Sequence, residues 1–127
     1  MSAEIAALDD ALARAGEDVI LRRVVTRSNV KVNSDVTCRA AVRGVSAEQI
    51  MGTIAATDLN VILSPTQITA AAWPGQDDST PGGSTVNQAL PRITDFVVVQ
   101  GKPRQVKVSK PIYVGGVWCR TDLVVAG

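Results

Sequence analysis

Apolar and polar positions follow two different spacings along the chain. In residues 2 to 15, Ile5, Leu8, Leu12 and Ala15 recur every three to four positions, the period of one buried helix stripe. Ser2 can cap this helix and Glu4 sits in its favourable first turn. The alanines at 3, 6, 7, 11 and 13 are strong helix formers, and Gly16 is placed to end the helix in a left-handed turn. So short a helix is marginal alone in water, so its stripe must dock on its own barrel or on a neighbouring copy.

From Glu17 the spacing shifts to alternation. Residues 18 to 27 (DVILRRVVTR) read as a first strand, and 29 to 43 as a hairpin turning at Asn33-Ser34-Asp35. After that turn Val36, Cys38, Ala40 and Val42 alternate with Thr37, Arg39, Ala41 and Arg43, a half-buried strand with a basic outer face. Ser46-Ala47-Glu48-Gln49 matches a capping box, but Gly52 limits it to a single helical turn. Residues 53 to 57 and 61 to 64 pair around an Asp58-Leu59-Asn60 turn, Pro65 stops the second strand, and 66 to 73 form a brief helix.

Residues 74 to 91 (PGQDDSTPGGSTVNQALP) read as a long loop, a length that compact domains usually keep for function. Strands return at 95 to 100, then a Gly101-Lys102-Pro103 turn, 104 to 109, and 117 to 125 after Gly115-Gly116. In the last strand Val117, Cys119, Thr121, Leu123 and Val125 share one face, while Trp118, Arg120 and Asp122 share the other. The expected fold is mainly β: a small β-barrel or sandwich with an N-terminal α-helix and one long loop. It forms a single domain over 1–127: helix 2–15, β-rich 17–73, loop 74–91, terminal strands 92–127.

Composition agrees and narrows the function. Nineteen valines, eight isoleucines and ten threonines among 127 residues favour strands. A 46% apolar share excludes intrinsic disorder, and a net charge of +1 argues against a dedicated nucleic-acid binder. No apolar run approaches the ~20 residues that span a bilayer, and Met-Ser-Ala-Glu lacks the layout of a secretory signal, so a cytosolic start and no membrane partner are expected.

The sequence contains no histidine, which removes the usual general base and most zinc and haem sites. Two cysteines, Cys38 and Cys119, are too few for a disulfide scaffold and read as buried free thiols. Ser28-x-x-Lys31 has the spacing of some acyl-transfer enzymes but falls in strand-like sequence, where the two side chains do not meet. The acid pairs Asp9-Asp10 and Asp77-Asp78 lack calcium-loop spacing, and Gly82-Gly83 and Gly115-Gly116 lack the lysine and helix start of a phosphate loop. No catalytic, metal or cofactor site is expected, and no enzyme.

Charge is segmented. Residues 1 to 18 carry a net −4, 19 to 43 a net +5, 44 to 91 a net −4 with no lysine or arginine, and 92 to 127 a net +4. Segments of opposite sign can pair within one protomer or between protomers. On this ground Asp9, Asp10, Arg22, Arg23 and Arg27 are candidate interface residues; Trp73, ahead of the loop, is either a core plug or an interface anchor.

AALDDALARAGEDVILRRV (6–24), TDLNVILSPTQI (57–68) and ITDFVVVQGKPRQVKVSKPIYVGGVWCRTDLVVAG (93–127) resemble head–tail joining proteins of tailed bacteriophages and prophages, also called head-completion or stopper proteins. The resemblance implies a β-barrel in a sixfold or twelvefold ring of copies in the virion neck. That ring would sit between the portal or adaptor ring and the tail terminator or tail tube, closing the filled head. Genomic DNA would pass through it without sequence-specific binding. Since wall cations would hold phosphates, Asp77 and Asp78 are expected on the channel or on a protein partner. A tail terminator or adaptor ring of the same junction, and a small β-barrel binding nucleic acid or a ligand, are the alternatives.

Overall fold

The computed structural model describes residues 3–45, 57–75 and 89–127. Within them the order is α1 (Ala3–Ala15), β1 (Glu17–Arg27), β2 (Val30–Gly44), β3 (Leu59–Leu63), α2 (Pro65–Ala70), β4 (Phe96–Val99), β5 (Lys102–Val114) and β6 (Val117–Val125). The strands close a barrel in the order β1-β2-β3-β6-β5-β4, every neighbouring pair antiparallel. A mainly β barrel behind an N-terminal helix is thus the fold, and closure leaves no full-length strand edge open.

Alternation along each strand builds the core. Val19, Leu21 and Val25 of β1, Val36, Cys38 and Ala40 of β2, Val61 and Leu63 of β3, and Leu123 and Val125 of β6 point inward and are buried. Val97, Val99 and Val106 close the far side, and Ile68 of α2 plugs the end with Trp73. The helix stripe docks less completely than its spacing suggested: Ile5 and Leu12 are buried, Leu8 is half-buried and Ala15 is exposed. Gly16 is not in the left-handed region. A side chain there would meet the carbonyl oxygens of Leu12 and Ala40 at 2.6 and 2.7 Å, so glycine lets the helix end against β2.

Three turns lie elsewhere than the pattern indicated. Asn33, Ser34 and Asp35 do not turn; they run inside β2 opposite Val24, Arg23 and Arg22. Their polar groups find partners there, Asp35 on Arg22 and Ser34 on the Pro74 carbonyl. The reversal sits at Ser28-Asn29, both left-handed (φ 53° and 63°), the geometry a two-residue hairpin requires. Gln100-Gly101 (φ 54° and 79°) likewise replaces the turn expected at 101–103, so Lys102 and Pro103 belong to β5. Leu59 and Asn60, expected in a turn, open β3 opposite Gly44 and Arg43. The helix expected at 66–73 is shorter: Ser64 Oγ accepts from the Thr66 amide to start α2, Pro65 takes its first position, and Ala72 (φ 50°) ends the run. The capping box at 46–49 and most of the strand expected at 53–57 lie outside the described residues.

Candidate assembly surfaces

Two hairpins outrun the barrel. β1 pairs with β4 only at Ile20–Arg22, and β2 with β3 only at Ala40–Gly44. From Arg23 and Ser34 to the turn the two strands continue as a ribbon of five residue pairs, roughly 17 Å long. β5 and β6 do the same at the other end of their lengths. β4 covers β5 only at Lys102–Gln105 and β3 covers β6 only at Thr121–Val125, leaving a ribbon that turns at Gly115-Gly116.

The β1–β2 arm is braced from beneath. Arg23 Nε and Nη2 donate to the two Asp95 carboxylate oxygens, each at 2.8 Å, with Arg23 3% exposed and Asp95 fully buried. Nη2 also donates to the Leu90 carbonyl at 2.9 Å, and the Arg92 amide donates to Asp95 Oδ2 at 2.8 Å. The guanidinium lies 4.4 Å from the Trp73 ring centre, a cation–π contact strengthened by exclusion of water. Trp73 Nε1 donates to the Ser34 carbonyl at 2.8 Å, while Ser34 Oγ and Arg27 Nη2 both donate to the Pro74 carbonyl, at 2.6 and 2.8 Å. A buried charge pair is tolerable only when every lone pair and proton is met, and this network approaches that condition.

The β5–β6 arm is built of the opposite material. From Pro111 to Trp118 it carries no charge, and Tyr113, Val114 and Val117 are 52%, 44% and 47% exposed. Tyr113 lies opposite Trp118, whose Nε1 donates to Thr121 Oγ1 at 2.8 Å. At the arm's root Arg120 donates to both Asp122 carboxylate oxygens, at 2.7 and 2.9 Å, and this hydrogen bonding raises the Arg120 pKa above its ordinary value. A register shift between Ile112 and Tyr113 bends the ribbon.

The candidate residues from the sequence therefore divide. Arg23 and Trp73 are interior groups, which corrects Arg23 as a partner-facing residue and makes Trp73 a core plug rather than an interface anchor. Arg22 pairs with Asp35 across the strands at 2.9 and 3.0 Å, a contact that raises the Arg22 pKa, and Arg27 holds Pro74. Asp9 accepts from Thr66 Oγ1 at 2.6 Å, and Asp10 stands with Arg14 at 3.5 Å on the solvent side of α1. Asp77 and Asp78 lie outside the described residues. The acidic helix and basic strand do meet within one protomer. Arg39 donates to the Leu12 and Ala13 carbonyls at the end of α1 and reaches Asp18 at 3.3 Å.

Sequence reasoning missed Asp95 and Asp58. Asp58, 2% exposed, accepts from Lys107 at 2.8 Å and from the Gly127 amide at 3.1 Å. An isolated acid at the lip of a valine run (Asp95 before FVVV) was the available signal, but its partner is 72 positions away.

Cys38 and Cys119 are free and buried, as expected. Burial pushes the Cys38 thiol up to about 12, which leaves it protonated and unreactive at neutral pH. Among the described residues no three acids or thiols gather as a metal site would need, and no helix is long and apolar enough to cross a membrane. Open hollows mark the surface of the described residues, two of them larger than 300 Å³. One, of about 380 Å³, lies on the outer wall with Ile62, Val108 and Val124 as floor and Arg43 and Lys110 at its rim. The other, of about 450 Å³, lies between α1, α2 and β2 and is lined by Asp9, Asp18, Thr37, Arg39 and Gln67. No protein-family model and no curated protein matches this chain.

Proposed function

We propose that this chain is a structural component of a bacteriophage neck, a ring subunit between the portal or adaptor and the tail that closes the filled head and seats the tail. The observation that carries this reading is the pair of unlike arms on a closed barrel, one charged and braced, the other apolar and bare. A ring requires two different, complementary surfaces on every copy, because a self-complementary one stops at a dimer. An enzyme would instead need acid, base and nucleophile converging on a cavity. Here Arg22, Arg23, Arg39, Lys107 and Arg120 are paired with carboxylates that serve the fold, and no histidine is available. No cofactor enters the proposal, and DNA passes as a neutralised cylinder rather than a read sequence.

Particles assembled without this protein test the reading. The expected result is DNA-filled heads without tails, with the chain found at the collar of complete particles. Full tailed particles made in its absence would overturn it.

A further inference from the structure

Alternation sends every second side chain of a strand outward, and on the wall β2-β3-β6-β5 the outward face is unevenly polar. Arg43, Asn60, Val124 and Val108 form one row across the four strands, and Ala41, Ile62, Asp122 and Lys110 form the next. Val124 points away from the barrel and is still only 6% exposed. With Ile62 and Val108 it floors the groove of about 380 Å³.

The rim of this groove is electrostatically unbalanced. Elsewhere Arg22, Arg23, Arg39, Lys107 and Arg120 stand with carboxylates. Arg43 and Lys110 are exposed and have no ion pair or side-chain hydrogen bond among the described residues. Asp122, opposite Lys110, accepts from Arg120 with both carboxylate oxygens, so it balances that arginine and leaves the lysine unpaired. Arg43 and Lys110 stand on β2 and β5, three strand spacings apart, roughly 14 Å measured along the wall.

The wall also sets the form of an occupant. Beneath the groove β2, β3, β6 and β5 are laddered to one another, so an extended chain laid across them finds no open backbone partners. A helix meets its backbone bonds internally and needs none. α1 already uses the wall in this way: its Leu8, Ala11 and Ala15 line a smaller hollow, of about 160 Å³, together with Ile62 and Arg43. Both residues line the groove as well, so the groove begins at the flank of α1.

We infer that the groove receives an acidic amphipathic helix of a partner protein. It lies beside α1 with apolar side chains on Ile62 and Val108, and presents one carboxylate to Arg43 and another to Lys110. The two unpaired cations select the sign of the partner and fix its register. Phosphates would also satisfy them, but a nucleic-acid backbone offers nothing apolar to the floor. The inference goes beyond the neck reading and does not depend on it.

The test uses the whole chain and a fluorescein-labelled helical peptide. The peptide carries leucines along one face and, on that face, two glutamates about eleven residues apart, a span of roughly 16 Å. Binding, read by fluorescence anisotropy, should weaken about tenfold for Arg43→Glu, for Lys110→Glu, and for a peptide with glutamines in place of the glutamates. A peptide with lysines there should bind the double variant Arg43→Glu/Lys110→Glu more tightly than the original chain. Methyl signals of Ile62, Val108 and Val124 should shift on binding, while those of Val24 and Val30 on the β1–β2 arm stay in place. Both cations are exposed, so melting temperatures should stay together. Equal binding of the glutamate and glutamine peptides, or shifts confined to either arm, would overturn the inference. Duplex DNA that binds more tightly than the peptide, and is lost in the same variants, would overturn it too and make the groove a phosphate contact. None of these results bears on the neck reading, which stands or falls on particles made without the chain.

Discussion

The β1–β2 and β5–β6 arms share an antiparallel ladder and a two-residue left-handed turn, yet they differ in length and in what lies beneath them. The first rests on Trp73, Pro74 and the buried Arg23–Asp95 pair; the second is anchored at its root by Trp118, buried Cys119 and Thr121. The inward residues of a braced arm are part of the fold, and they are read out as stability. An unbraced apolar arm is nearly neutral to the fold, and on the proposed neck role its residues would be read out as association. That division explains why charge alone was a poor guide to surface contacts. The most basic stretch of the sequence directs one of its arginines inward, while the arm best suited to apolar contact has no charge at all.

The sharpest way to break the comparison is to empty the brace. Asp95→Ala strands the Arg23 guanidinium without a counter-charge in a buried site, and a loss of about 3–5 kcal/mol is expected from denaturant unfolding. Because the stranded charge and not the missing contact dominates, pairing it with Arg23→Met should recover part of the loss. Equal and additive losses would mean that the two groups act independently.

A smaller effect of the same kind comes from Cys38, on β2 between the braced arm and the α1 contact. Its thiol ionises at about 12 in the fold, against an ordinary value near 9.0. Above pH 9 the unfolded chain gives up this proton while the folded chain keeps it, so stability falls as pH rises through that window, by about 1.4 kcal/mol per pH unit at most. Below pH 9 the group contributes no slope. Comparing the original chain with Cys38→Ala between pH 9 and 11 isolates the effect from other titrating groups; identical slopes would show that the thiol is not shielded.

Trp73→Phe sharpens the comparison further. It keeps the ring over Arg23 but removes the donor to the Ser34 carbonyl, leaving a buried acceptor in β2. A loss of about 1–3 kcal/mol is expected by thermal unfolding. A change within measurement error would imply that the arm holds its place without the indole.

What was legible in advance follows the range of the interactions. Local periodicity carried α1, β1, β6 and the mainly β barrel, because one buried face per element is enough to place it. The alternation of Val117–Val125 predicted the buried Cys119, Thr121, Leu123 and Val125, but Val117, expected on the same face, stands exposed at the tip of the arm. Turns were misplaced where polar residues had a second use. Asn33-Ser34-Asp35 has turn chemistry, but Arg22 and Pro74 supply cross-strand partners that no local rule contains, whereas Ser28-Asn29 takes the left-handed geometry. The Arg23–Asp95–Trp73 brace was illegible for the same reason, since its members lie on three separate segments and only closure of the barrel joins them. Of the candidate surface, the acidic helix was found, but which of its acids is engaged depends on Thr66 of α2.

The least perturbing change is the one that separates the arms most cleanly. Tyr113→Ser with Val117→Ser removes two exposed apolar side chains from the β5–β6 tip, where neither touches the buried core. Stability should move by no more than about 0.5 kcal/mol, the usual range for surface positions. Exposed apolar groups on a protruding ribbon are what a docking surface needs, so the same variant should be more soluble and, on the proposed neck role, should lose docking to the neighbouring ring. A large fall in melting temperature would place this tip within the fold, and unimpaired docking would leave the β1–β2 arm to carry assembly alone. Either result would remove the distinction between a braced arm that serves the barrel and a bare one that serves its neighbours.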